Sequence, residues 1–355
     1  VLSVALPVLF FIWKEKLLLF FGASEATLVY ANEYMTIYAL GTVFALLATG
    51  LNSFIICQGF STVAMATVVI GAIFNIVLDP IFIFTLNMGV RGAAIATVIS
   101  QAASCFFVVC FLLRKSTPVR ITFGGYSKNI IRNIIKFGFS PFIIIATDSV
   151  LLIVMNITLK QHGGAQSDML IAAATIMQSF LMIITMPLGG ITGGTQPILS
   201  YNYGAQNTER IRQGIKTILL MALIFNTVMF LISRIVPQLF VGIFTRDPAV
   251  MELAVRAIGI TTLGVIPLAV QYTLVDSFTA VGITRVSVAL SLFRKTTYLL
   301  TTVLVPIWFG ATAIFFAEPV ADILGACLTT FVFWRVFGRA MQERESMPAD
   351  SKLFE

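Results

Sequence analysis

"FGFSPFIIIATDSVLLIVMNITL" occupies residues 137–159, and Asp148, at the twelfth of its 23 places, is its only charge. Roughly 20 apolar residues suffice for a helix to cross a bilayer. A carboxylate at the middle of such a helix costs on the order of 2.5–3.5 kcal/mol even on a lenient insertion scale. It normally faces a polar cavity or a partner. The rest of the chain must supply the reason for it.

Composition sets the solvent. The 355 residues are 58% apolar and 11% charged, with 31 Phe and a mean hydropathy of +0.96. Soluble domains carry about 25% charged residues. So few charges cannot cover a water-facing surface, and the lipid bilayer is the partner implied. The net charge of +7 reads as loop basic residues that set orientation, not as nucleic-acid binding. Cys57, Cys105, Cys110 and Cys327 all lie in apolar runs without a CxxC pair, so they read as helix-packing residues. A single histidine, His162, excludes a His-based metal centre. No signal peptide is evident, and the chain opens with Val1 inside "VLSVALPVLFFIW", which reads as a fragment beginning within a helix.

Ten runs are long enough to span, near 1–13, 34–58, 62–84, 92–113, 137–159, 169–193, 217–241, 253–280, 285–308 and 312–334. The long connections are 114–136 and 194–216. Loops on one face carry 14 Lys/Arg and those on the other carry 6, which places the 114–136 loop and the C-terminus in the cytoplasm. Sliding the chain by 223 residues aligns Phe21 with Phe244, Leu40-Gly41 with Leu263-Gly264, and Gly59 with Gly282, giving eight identities in 39 positions. Further on, Gly89 resembles Gly310 in its setting, and Pro80 resembles Pro306. Two halves in parallel orientation are a transporter architecture. The register predicts a twelve-helix protein, six plus six, of which this chain lacks the first two.

The expected layout is an all-α polytopic membrane protein with two pseudo-symmetric lobes. The incomplete N-lobe covers 1–113, a cytoplasmic linker 114–136, the C-lobe 137–338 and a cytoplasmic tail 339–355.

Candidate chemistry lies in the membrane. Asp148 is the deepest acid. Asn156, eight places on, is expected to join it in a polar stripe along a cavity wall, with Leu152 and Met155 between them. The bland alternative is that Asp148 hydrogen-bonds a neighbouring helix. Asp276, five residues after Gln271, sits near the end of its span. With Asn156, Gln178, Gln271 and Asp276, Asp148 forms the substrate- or ion-binding set. Asp79, Glu318 and Asp322 are structural or gating acids. Asp79-Pro80 and Glu318-Pro319 read as local satisfaction of backbone groups freed by proline. Glu33 reads as a solvated helix start, and Arg294-Lys295 as cations that pair with an acid on a helix the sequence does not identify.

The glycine-rich stretch "PLGGITGGTQPILSYNYGAQNTERIR" (187–212) invites a phosphate-loop reading, but it holds no Gly-Lys-Ser/Thr and no strand precedes it. Its Gly189/Gly193 and Gly190/Gly194 pairs are spaced for close helix packing. Without a nucleotide site, the energy source is an ion gradient or none.

"GTQPILSYNYGAQNTERIR", with "NIVLDPIFIF", "GVRGAAIATVISQ", "SPFIIIATDSVLLIVMN" and "FGATAIFFAEPVAD", resembles the multidrug and toxic compound extrusion (MATE) family in its bacterial MepA-like and DinF-like branch. The motifs run in family order over nearly the whole chain. The resemblance implies two six-helix lobes around a central cavity, cytoplasmic termini, and export of cationic amphipathic drugs by antiport with Na⁺ or H⁺. It implies no cofactor, no resident metal other than Na⁺ at Asp148, and a monomer in the plasma membrane. The family's seventh-helix acid falls on Asp148 and its seventh-helix Asn on Asn156. The place of a tenth-helix acid falls nearer Gln271 than Asp276, and a first-helix acid used by several members lies outside this chain. Two other readings stand beside it. A flippase of lipid-linked precursors would use intramembrane cations, here only Arg256, Arg294 and Lys295. A membrane-embedded enzyme would need a catalytic set that one loop histidine does not supply.

Overall fold

The computed structural model describes residues 2–20, 25–115, 117–122, 124 and 127–346. Thirteen α-helices run through them: α1 Leu2–Phe20, α2 Glu25–Cys57, α3 Ser61–Pro80, α4 Gly89–Leu112, α5 Lys128–His162, α6 Ser167–Gly194, α7 Gln196–Gly204, α8 Thr208–Ile235, α9 Pro237–Phe244, α10 Pro248–Thr261, α11 Val265–Ala280, α12 Thr284–Phe309 and α13 Ala317–Ser346. Nine helical stretches among the described residues are long and apolar enough to cross a membrane. The tenth expected span, near 1–13, is α1. It carries Lys14, Glu15 and Lys16 within its course and is not among the nine. Large apolar side chains point outward, with Ile76 71%, Phe84 73%, Ile243 79% and Trp334 77% exposed. In water that surface would drive aggregation; in hydrocarbon it is solvated. The chain is a multi-pass membrane protein.

The expected 194–216 connection is mostly helix. α7 and the start of α8 leave only residues 205–207 between them. The charges Arg210, Arg212 and Lys216 interrupt the apolar run, yet Ile211, Ile215, Ile218 and Ala222 bury one side of α8 at helical spacing. Asn207 caps this helix, accepting from the Arg210 N–H at 3.1 Å. Asp247 does the same for α10, accepting from the Ala249 N–H at 2.9 Å, with Pro248 at the first turn.

The chain divides into two units, Val1–Gly125 and Tyr126–Glu355. In the first, α2 and α3 pack on α4. The crossing with α3 is close at Gly71, where a Cβ would lie 2.4 Å from the Ser104 hydroxyl that donates to the Thr67 carbonyl. The second unit holds two main apolar cores. One centres on Met177, Phe180, Ile258 and Val265, the other on Ile211, Phe278 and Phe337. At its far end Arg344 is buried and donates to the carbonyls of Tyr203 and Gly204 at 3.2 and 3.1 Å, tying α13 to the C-terminal end of α7.

The repeat is physical. α2 runs 33 residues from Glu25, and the span Pro248–Ala280 also runs 33 residues from a point 223 places later. The helices that follow begin at Ser61 and Thr284, again 223 apart. Gly59 (φ +86°) and Gly282 (φ +80°) make the intervening turns in the left-handed region, where a Cβ is strained. Gly89 and Gly310 share that region one helix later. Within the 33-residue span the copies differ: α2 is unbroken, whereas Thr262–Gly264 tightens into a 3₁₀ turn between α10 and α11.

Three packing expectations are corrected. A Cβ at Gly189, Gly190, Gly193 or Gly194 would meet nothing within 4 Å, so these glycines form no packing seam among the described residues. Of the four cysteines only Cys105 is buried. Asp79 accepts from the Asn75 amide at 3.2 Å rather than from a freed backbone N–H, and the chain after Pro80 widens into a π-turn over Ile81–Thr85.

Candidate functional site

The second unit holds an open-sided cavity of about 580 Å³ walled by α5, α7, α11 and α12. α11 offers Tyr272, Val275, Asp276 and Thr279, at i, i+3, i+4 and i+7; α12 offers Thr284, Ser287, Ser291 and Arg294 with the same period. Both helices therefore turn one polar face to a common space.

Asp148 reaches this cavity from α5, and its side chain is 59% exposed there. Its carboxylate pairs with the ammonium of Lys295, which also donates to the carbonyl oxygen of Ile144 one turn earlier. Lys295 itself is buried, 4% exposed. Arg294, its sequence neighbour, points about 100° around the helix and meets a different acid: its Nη1 donates to Asp322 Oδ1 on α13 at 2.8 Å. The two adjacent cations thus clamp α12 to two separate helices. Asp322 is 1% exposed. It fits because residue 264 is glycine, where a Cβ would lie 2.8 Å from Asp322 Oδ2. The 3₁₀ turn that distinguishes the second copy of the repeat sits at this contact.

Gln271 also lines the cavity and is 2% exposed. Its amide lies over Gly325, where a Cβ would sit 2.7 Å from Oε1, and Oε1 has no hydrogen-bond partner among the described residues. Asp276 opens on the same space beside Thr192 and Gln196. Asp148, Gln271 and Asp276 are therefore brought together.

Asn156 is not. Eight residues carry a helix 80° past two full turns, so Asn156 leaves the cavity line, and none of the lining belongs to it. Met155, seven residues on, lies nearer Asp148's face; it is buried, and its sulfur accepts from the Tyr298 hydroxyl at 3.7 Å. Gln178 also lies outside the cavity wall, donating to the Tyr298 hydroxyl at 3.4 Å. Glu318 was expected to satisfy freed backbone groups; instead its Oε2 is buried with no hydrogen-bond partner among the described residues. The polar period of α12 went unread in the sequence, although Thr284, Ser287, Ser291 and Lys295 display it.

The family model described as MatE matches residues 1–81 and 143–307. The chain belongs to the MATE family. This MATE chain is 23% identical to the multidrug export protein MepA of Staphylococcus haemolyticus over 98% of its own length and 76% of that protein. It is 24% identical to MepA of Staphylococcus aureus (strain NCTC 8325 / PS 47), over 94% and 72%. Its fold resembles an outward-facing multidrug resistance MATE transporter of the MOP superfamily, with TM-score 0.88 and 21% identity over 96% of this chain and 76% of that one. It likewise resembles a MOP-superfamily transporter from Pyrococcus furiosus, with TM-score 0.86 and 22% identity over 96% and 77%. The MATE chain is thus a membrane transporter of a multidrug-export family, and the cavity with Asp148 lies in one of its two units.

Proposed function

We propose that this transporter exports cationic amphipathic compounds by antiport with H⁺ or Na⁺, that it acts by alternating access as a monomer in the plasma membrane with its C-terminus in the cytoplasm, and that it catalyses no chemical conversion. The observation that carries this reading is Asp148. It is a carboxylate open to a cavity of about 580 Å³, with apolar walls at Ile144, Ile145, Val275 and Val288 beside it. An apolar cation can lay its rings on those walls and its charge on the carboxylate. Substrate and coupling ion compete for the charge balance of this one site, so each excludes the other, and exclusion is what antiport requires.

The pairing of Arg294 and Lys295 with Asp322 and Asp148 weighs against the flippase reading, since both cations already face carboxylates. Efflux of a cationic dye from cells tests the proposal. Asp148→Asn should abolish efflux with the protein still present in the membrane; undiminished efflux would overturn it. Energising vesicles with a Na⁺ gradient or with a pH gradient then distinguishes the coupling ions.

A further inference from the structure

Asp148 already has a cation. Lys295 occupies the place that an exported cation would take, on a tether at the cavity wall and with its side chain 5% exposed. That raises a question of charge. If Asp148 took up the coupling proton, or gave itself to a cationic substrate, Lys295 would be left charged and buried with only the Ile144 carbonyl as acceptor. An isolated ammonium in an apolar setting costs many kcal/mol, and such a group sheds its proton rather than remain so. Lysine can do this; arginine cannot.

We propose that the ammonium of Lys295, rather than the carboxyl of Asp148, carries the proton exchanged for the cationic substrate. The proposal rests on the antiport reading and specifies its chemistry. In the resting site the ammonium of Lys295 faces the carboxylate of Asp148. An incoming cation takes the carboxylate. One N–H bond of Lys295 then breaks, its electron pair stays on Nζ, and the proton leaves through the cavity. When the substrate departs, Lys295 takes a proton back and closes on Asp148. Two charges of opposite sign are present before and after, so no uncompensated charge is buried at either stage.

The other ionisable groups around Lys295 do not supply this exchange. Arg294, its neighbour on α12, is held by Asp322 of α13. Glu318 lies on α13, four residues from Asp322. Tyr272 and Asp276 of α11 line the same cavity, but the hydrogen bonds of Lys295 go to Asp148 and Ile144.

The test uses the purified protein in nanodiscs and tetraphenylphosphonium, a permanent lipophilic cation with no proton of its own. Calorimetric titration in two buffers of different ionisation enthalpy counts the protons released per cation bound. The native protein should release close to one. Lys295→Met should bind the probe without releasing a proton, with an affinity that no longer depends on pH; Lys295→Gln should do the same if the methionine variant is poorly folded. Lys295→Arg, which keeps a charge it cannot shed, should bind at least ~10-fold more weakly while melting at the native temperature. Proton release that persists in Lys295→Met or Lys295→Gln, native-like binding by Lys295→Arg, or binding to the native protein without proton release would each overturn the proposal. A native protein that binds no cation would overturn the antiport reading as well, which separates the two failures.

Discussion

Arg294 and Asp322 lie 2.8 Å apart across the α12–α13 interface, with their side chains 14% and 2% exposed. Removing one partner of such a pair leaves the other charged and unsolvated, at a cost of about 3–5 kcal/mol. Asp322→Asn should therefore lower the thermal midpoint of the detergent-solubilised protein by many degrees. Arg294→Met combined with Asp322→Leu should recover most of the loss, because an apolar pair carries no desolvation penalty. Equal instability of the single and double variants would show that the pair contributes only bulk.

A glycine sets the position of Gln271. A Cβ at residue 325 would lie 2.7 Å from its Oε1 and 2.9 Å from its Nε2. Gly325→Ala should cost about 1–3 kcal/mol through overpacking and push the amide towards the cavity, weakening the binding of a cationic dye. Adding Gln271→Ala should relieve the strain. A double-mutant cycle on melting free energy checks this: additive effects would deny the contact.

The repeat makes a paired prediction. Gly59 and Gly282 hold φ near +86° and +80° in equivalent turns. Alanine at either should cost ~1–2 kcal/mol, and asparagine less, since its side chain tolerates the left-handed region. Proteolytic susceptibility in membranes should rise for both alanine variants and remain near native for both asparagine variants.

Within the cavity, Asp148→Glu keeps the charge and adds one methylene, so it should retain dye export at reduced rate. Asp148→Ala should lose export with no gain in folding stability, because Lys295 is then buried without its carboxylate. Efflux assays matched for protein amount decide the first point, and melting curves the second.

Much of this was legible in the sequence because each signal was local. Apolar length marked nine of the spans, the glycines at 59 and 282 marked the repeat, and a lone acid among 23 residues marked the cavity helix. What escaped was set by contacts between distant residues or by mixed periodicity. Lys295 finds Asp148 across 147 positions, and no spacing rule reaches that far. The start of α8 was hidden because Arg210, Arg212 and Lys216 alternate with the isoleucines that bury it. Asn156 lies 80° round the helix from Asp148, and the cavity lining on α5 stops at Ile144, Ile145 and Asp148, short of it.

The neutrality of the Asp148–Lys295 pair reaches beyond the cavity to the energetics of the whole membrane. A site that exchanges one monovalent cation for one proton moves no net charge across the bilayer in a complete cycle. A carrier that did move a charge would gain or lose about 2.3 kcal/mol for every 100 mV of membrane potential. An exchanger built on this pair is blind to voltage. If Lys295 carries the exchanged proton, export would be driven by the pH difference alone, at about 1.4 kcal/mol per unit, and would stall in a cell that kept its potential but lost its proton concentration gradient.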